Sequence, residues 1–312
     1  MQFYVILVLA SYCVLIVAAS LTGGLLPWLV KLTHRRMQLM MSFVGGLMLG
    51  VAILHLLPHA VAKGVSFDTA AWWTLGGLLA MFLLIRVFHV HAHEHGEAAE
   101  EEHKRHEHDH HSHKHCDHEQ GHEHRHVHSS ELTAERNFSW VGLAFGLALH
   151  TIIDGLALGA AVAAEANEAG HGHGWALYGV GTFLAVALHK PLDALSITSL
   201  MASGGWSKRA ALVANIVFAL MCPLGAVGFV CGLGALSGDQ DFVIGCALAF
   251  AAGVFLCISL ADLLPEVTFH SHDRLWLTAA LFLGVALAIG IGFLEHEHVH
   301  GGHEHHQHGN GR

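Results

Sequence analysis

Eight stretches of this chain are too long and too apolar for the core of a water-soluble domain. They run roughly over residues 3–30, 38–62, 69–90, 139–164, 175–202, 209–235, 242–268 and 275–294. A helix needs about 20 mostly apolar residues to cross a hydrocarbon layer ~30 Å thick, and each stretch has that length. In lipid the backbone must satisfy its own polar groups, as a helix or as a closed barrel. None of the eight shows the alternation of a barrel strand. The chain therefore reads as an all-α polytopic membrane protein with eight transmembrane helices. The first stretch has no basic residue before its apolar run and is long enough to span, so it reads as a helix and not as a cleaved signal.

Composition narrows the function. Only 13% of the 312 residues are charged, against roughly 25% in soluble domains. The formal net charge of −10 leaves no basic surplus to neutralise phosphate, which excludes a simple nucleic-acid binder. The six Cys form no C-x-x-C pair, and five of them lie in apolar stretches. That pattern is neither a disulfide framework nor a zinc ribbon. The unusual count is histidine, at 32 residues.

Lys and Arg orient the bundle. With the N-terminus outside, the inner loops hold Lys31, Arg35, Arg36, Arg86, Lys104, Arg105, Lys114, Arg125, Arg136, Lys208, Arg209 and Arg274. The outer side holds only Lys63 and Arg312, and Lys190 falls within a span. Both termini are then outside, in a multi-pass protein of the plasma (inner) membrane. Residues 1–90 carry the first three helices, 138–202 the fourth and fifth, and 203–294 the last three. Between them, 91–137 is a cytosolic loop, with 16 His falling from His89, just before it, to His128, and 295–312 is an extracytoplasmic tail with seven more. Both tracts are polar and of low complexity, which predicts disorder without metal.

An ionisable group at mid-bilayer costs at least about 2.5–3.5 kcal/mol, so the few that occur there are informative. The fourth span reads ALHTIIDGLALG, with His150 and Asp154; the fifth reads ALHKPLDALS, with His189, Lys190 and Asp193. In both, H-x-x-x-D puts His and Asp one turn apart on one helix face. Two such helices side by side offer two imidazoles and two carboxylates to one ion. That set suits Zn²⁺, and less well Fe²⁺ or Mn²⁺. As plain structure, the same residues would be a polar network joining two helices. Pro191 removes a helical hydrogen bond and frees a carbonyl near Ala187. Lys190 cannot be a ligand while protonated; it either pairs with Asp154 or Asp193 or takes the place of a second cation. Gly142 and Gly146, then Gly155 and Gly159, have the G-x-x-x-G spacing of closely packed helices.

The second span ends HLLPHA, with His55, Pro58 and His59, and the seventh ends ADLLPEV, with Asp262, Pro265 and Glu266. By the topology above, the first LLP lies at an outer helix end and the second at an inner one. An inverted three-helix repeat relating helices 1–3 to helices 6–8 produces this arrangement, as in many transporters. His55 and His59 then mark an outer approach, and Asp262 and Glu266 an inner exit.

In their order along the chain, these motifs resemble the ZIP (Zrt/Irt-like) family of divalent-metal transporters. The resemblance covers the whole membrane body: HLLP, the His-rich inner loop, H-x-x-x-D-G, H-K-x-x-D and DLLPE. It implies import of zinc or a similar ion to the cytosol by alternating access, a 3+2+3 helix arrangement and a homodimer. It places His150, Asp154, His189 and Asp193 on the family's main transport site, and Asp262 and Glu266 on its exit path. Thr151 and Lys190 fall where many members have Asn and an acidic residue that help to hold a second metal, which implies a single metal here. The family often has Glu where His59 stands. Its fifth helix usually has proline directly before the acidic residue, whereas Pro191 is two positions ahead of Asp193. No resident cofactor is implied; the metal is cargo, with Zn²⁺ ahead of Fe²⁺, Mn²⁺ and Cd²⁺.

Other readings fit less of the chain. A cation-diffusion exporter would have six spans and a folded cytosolic domain, and a nickel or cobalt permease would carry H-x-x-x-x-D-H in an early helix. H-E-x-x-H matches such as His106 to His110, His122 to His126 and His296 to His300 lie in tracts where His and Glu alternate, so they do not make a metalloprotease. A membrane-anchored metal sensor or buffer would explain the tracts but leave the buried His and Asp without a role.

Overall fold

The computed structural model describes residues 3–29, 33–107, 129–168, 178–269 and 274–300. The elements are α1 (Phe3–Leu29), α2 (His34–Val51), a π-helical turn (Ala52–Leu56), α3 (Leu57–Ala62), α4 (Phe67–Glu107), α5 (Ser129–Glu168), α6 (Val180–Ser203), α7 (Lys208–Ala235), α8 (Gln240–Phe269) and α9 (Arg274–His300). Helix α2, the π turn and α3 form one span, so the eight apolar stretches become eight spanning-length helices, with no strand among the described residues.

Helix α4 runs on to Glu107 and α5 begins at Ser129, so helical backbone extends into both ends of the 91–137 segment. Alanine and glutamate in EAAEEEHKRHE and SSELTAER explain this, since both residues favour helix without any apolar face to bury. The middle of that segment, 108–128, and the tail beyond His300 lie outside the described residues.

Local chemistry sets several boundaries. Gly64 after α3 (φ +81°) and Gly205 after α6 (φ +77°) take left-handed conformations that a Cβ disfavours. Ser207 caps α7 by accepting a hydrogen bond from the Ala210 N–H at 3.2 Å, which satisfies an end donor. Lys63 approaches Asp241 at 3.9 Å, and Asn167 bonds the same carboxylate at 3.4 Å. The ends of α3 and α5 and the start of α8 therefore share one side, as alternating spans require.

The most extensive contacts join α2 to α9, α5 to α7, α4 to α8 and α1 to α6. Glycine permits backbone contact at each. A Cβ on Gly46 would strike the Leu281 carbonyl, and one on Gly284 the Phe43 carbonyl. Between α4 and α8 the same exchange involves Gly253 with the Thr74 carbonyl and Gly77 with the Phe250 carbonyl. These contacts are copies of one another: Gly46 and Gly253, Phe43 and Phe250, Thr74 and Leu281, Gly77 and Gly284 are each 207 positions apart. Pro58 and Pro265 share that offset. A second exchange relates the middle helices. Gly225 meets the Ile152 carbonyl on α5 and Gly23 meets the Pro191 carbonyl on α6, and those carbonyls are 39 positions apart, like His150 and His189. Gly155 of the G-x-x-x-G pattern lies against Cys222 and Gly159 against Ala226, both on α7.

Helices α5 and α8 are the most enclosed, while α4 and α9 present side chains such as Trp72, Leu83, Phe282 and Phe293 outwards, as lipid-facing helices do. Enclosure of α5 within an apolar body places the ionisable residues of the fourth and fifth spans away from lipid.

Candidate metal site

The period of the helix brings the four expected donors together. His150 and Asp154 project from one face of α5, and His189 and Asp193 from one face of α6. One ligand atom from each of the four lies within 4.8 Å of the other three. The His150 Nε2 is 3.4 Å from Asp154 Oδ2 and 3.6 Å from Asp193 Oδ2; the His189 Nε2 is 3.3 and 3.7 Å from the same two oxygens. These separations have a coordination reading. Bonds of about 2.0–2.1 Å arranged tetrahedrally around Zn²⁺ put neighbouring donor atoms roughly 3.3–3.4 Å apart, and the four histidine–aspartate separations are close to that spacing.

Burial and hydrogen bonding orient the donors. Asp154 is fully buried, and His150 and His189 are nearly so, while the Asp193 side chain keeps 18% exposure. The His189 Nδ1 lies 2.7 Å from the Ala185 carbonyl. A ring nitrogen that donates there leaves the Nε2 lone pair for a metal, the usual way in which the shell behind a ligand selects its tautomer. The carbonyl that holds the ring is thus that of Ala185, one turn before His189. The ring also packs edge-on against Phe255, centroids 6.5 Å apart. The His150 Nδ1 and Asp154 Oδ1 are buried without a hydrogen-bond partner, an arrangement that costs free energy unless something polar enters.

Lys190 is part of this cluster. Its Nζ bonds Asp154 Oδ2 at 2.5 Å, Asp193 Oδ2 at 3.1 Å and Thr151 Oγ1 at 3.0 Å, and it lies 5.5 Å from the centroid of the Phe218 ring. Of the two roles open to it from sequence, pairing with an aspartate is the observed one, and it pairs with both. Thr151 in turn donates to the Leu147 carbonyl at 2.7 Å.

The other expected residues are less gathered. His55, on the π turn, is buried with its Nε2 2.8 Å from the Ala288 carbonyl of α9. His55 and His59 line a narrow crevice together with Glu165, Ala161, Thr182 and Leu248. Glu165 was not singled out from sequence, yet a signal exists. It stands 11 residues after Asp154, three turns along the same face and about 16 Å up the helix. Its Oε2 accepts the Gly179 N–H at 2.8 Å. Asp262 and Glu266 are on α8, and their side chains lie outside the described residues.

The family profile described as "ZIP Zinc transporter" matches residues 6–293. The chain is 30% identical over 153 residues to "Zinc transporter ZIP9" of Micropogonias undulatus, covering 47% of this chain and 46% of that protein. It is 33% identical over 120 residues to "Metal cation symporter ZIP8" of Homo sapiens, covering 38% and 23%. A third match, 32% over 132 residues, is to "Zinc transporter ZIP10" of Danio rerio, covering 42% and 14%. The matched segment spans less than half the length of each of these relatives.

Proposed function

The chain belongs to the ZIP zinc-transporter family, whose members are transporters and not enzymes, and from that premise we propose that it imports divalent metal ions, Zn²⁺ first among them, into the cytosol. The observation that carries the proposal is the assembly of two imidazoles and two carboxylates within 4.8 Å of one another on two buried helices. A divalent ion in an apolar interior needs opposite charge at contact distance, and Asp154 and Asp193 supply it while His150 and His189 complete a set that zinc favours.

The ion approaches from outside past His55 and His59, exchanges water for His150, Asp154, His189 and Asp193, and leaves past Asp262 and Glu266. One ion occupies the centre, because Thr151 and Lys190 supply no ligand for a second. Access alternates by movement of one helix group against another. The 207-residue recurrence of interhelical contacts supports an inverted repeat of helices 1–3 and 6–8 within a 3+2+3 arrangement. The distribution of Lys and Arg supports termini outside, in the plasma (inner) membrane, and the family resemblance supports a homodimer.

Uptake into liposomes with a trapped zinc indicator and an inward zinc gradient tests the reading. Wild-type protein is expected to fill the vesicles. Asp154→Ala and His189→Ala, folded by size exclusion, are expected to lose at least nine-tenths of that rate. Zinc binding without passage in the wild type sinks the transport reading for zinc and points instead to an anchored metal sensor.

A further inference from the structure

Lys190 shares its carboxylate oxygens with the candidate ligand set. The Asp154 Oδ2 that its Nζ contacts at 2.5 Å is the oxygen lying 3.3 and 3.4 Å from the two histidine Nε2 atoms. The Asp193 Oδ2 that it contacts at 3.1 Å is the other oxygen facing both rings. An ammonium and a divalent ion cannot both sit at full contact on the same two oxygens, because like charges so close repel strongly where the local dielectric is low.

Charge counting gives the direction of the outcome. Two carboxylates with the ammonium carry a net −1 when the imidazoles are neutral. A divalent ion added beside the ammonium makes +1. With the ammonium withdrawn from the carboxylates, ion and carboxylates balance at zero and the remaining positive charge stands farther from the ion, which lowers their mutual repulsion. The surroundings offer the ammonium a place to withdraw to. Thr151 Oγ1 bonds it at 3.0 Å and the Phe218 ring lies 5.5 Å away; both are neutral, and an aromatic face attracts a cation.

We propose that Lys190 is a tethered competitor of the transported metal. The ion binds by displacing the ammonium from Asp154 and Asp193, and the ammonium returns to the carboxylates as the ion departs. Being covalently attached, it competes at a high effective concentration that dilution does not lower. Lys190 thereby weakens equilibrium binding and speeds release, a specificity and turnover role for a residue that does not ligate the metal. The inference rests on the four-donor reading of the site.

The test uses full-length protein in detergent and in liposomes, with ZnCl₂ as the probe. Lys190→Met removes the charge at nearly constant length. It is expected to bind zinc at least tenfold more tightly than wild type, still at one ion per chain by metal analysis, and to turn over several-fold more slowly in vesicle uptake. Lys190→Arg keeps the charge and is expected to restore wild-type affinity to within about threefold. An affinity for Lys190→Met equal to or weaker than wild type overturns the proposal, as does an Arg variant that binds as tightly as the Met one. If Lys190→Met folds only with metal, it is purified in zinc and release into a chelator is followed. Slower release than wild type supports the exchange, and equal or faster release overturns it. Asp154→Asn separates the two claims: undiminished zinc binding there refutes the four-donor site itself, whereas lost binding leaves that site standing whichever way the Lys190 variants fall.

Discussion

The second span reaches Pro58 through a π turn at Ala52–Leu56, whereas the seventh reaches Pro265 through α-helix over 259–263. The glycines on both sides of those turns recur. Gly46 and Gly253 precede the two prolines by 12 residues, and Gly77 and Gly284 follow them by 19. No residue has been inserted on either side, so the π turn is a difference of conformation and not of length. Proline explains why the backbone tolerates both registers: lacking an N–H, it can donate neither to the carbonyl four residues back, as an α turn would need, nor to the one five back, as a π turn would. The consequence falls on His55, which the π turn carries onto the Ala288 carbonyl. A scaffold of glycine contacts can thus repeat while the turn bearing His55 does not.

The comparison breaks most directly at its glycines. Gly46→Leu and Gly253→Leu each drive a side chain into a facing backbone carbonyl, on Leu281 and Thr74 respectively. Each is expected to lose about 3 kcal/mol or more, the upper end of overpacking effects, and to fail to purify as a folded monodisperse species. Tolerance of one and not the other would show that the two contacts are not equivalent.

A sharper test deletes one residue from each turn. Removing Leu54 converts a π turn into an α turn and leaves the flanking helices in phase, so folded yield by fluorescence size exclusion should fall by less than half. Removing Leu260 rotates the rest of α8 by roughly 100° relative to its start, and folded yield should fall to background. Equal outcomes would mean that the register difference has no structural weight.

The smallest effect concerns a hydroxyl that one copy has and the other lacks. Ser259 donates to the Gly45 carbonyl at 2.8 Å, and its counterpart 207 positions earlier is Ala52. Ser259→Ala should cost about 1 kcal/mol, the usual net worth of such a bond, read as a lower midpoint in thermal unfolding. No loss would show that the two copies are alike at this position too.

Much of this was legible beforehand. The eight spans follow from run length and apolarity, since a hydrocarbon layer imposes both. His150, Asp154, His189 and Asp193 could be found because ionisable groups in such runs are costly and helical spacing says which share a face. The LLP pair shares the 207-position offset of the recurring glycine contacts. Those reciprocal glycines stayed hidden, because small residues are common in such helices and only a partner shows which of them touch. Glu165 stands near a helix end, where a carboxylate is ordinary and gives no local sign of its place beside His55 and His59. Helix over 91–107 and 129–137 rests on alanine and glutamate propensity, a signal separate from the apolarity that marks the spans.

The sequence by itself determined that this is an eight-helix membrane protein and which ionisable side chains of the fourth and fifth spans share a helix face, because both depend on spacing along one helix or one apolar run. Only the tertiary structure decided that Lys190 closes on both aspartates, that His55 turns to α9, and that contacts 207 residues apart coincide. Those outcomes depend on distances between helices, which no local pattern encodes and which backbone-to-backbone packing at glycine sets.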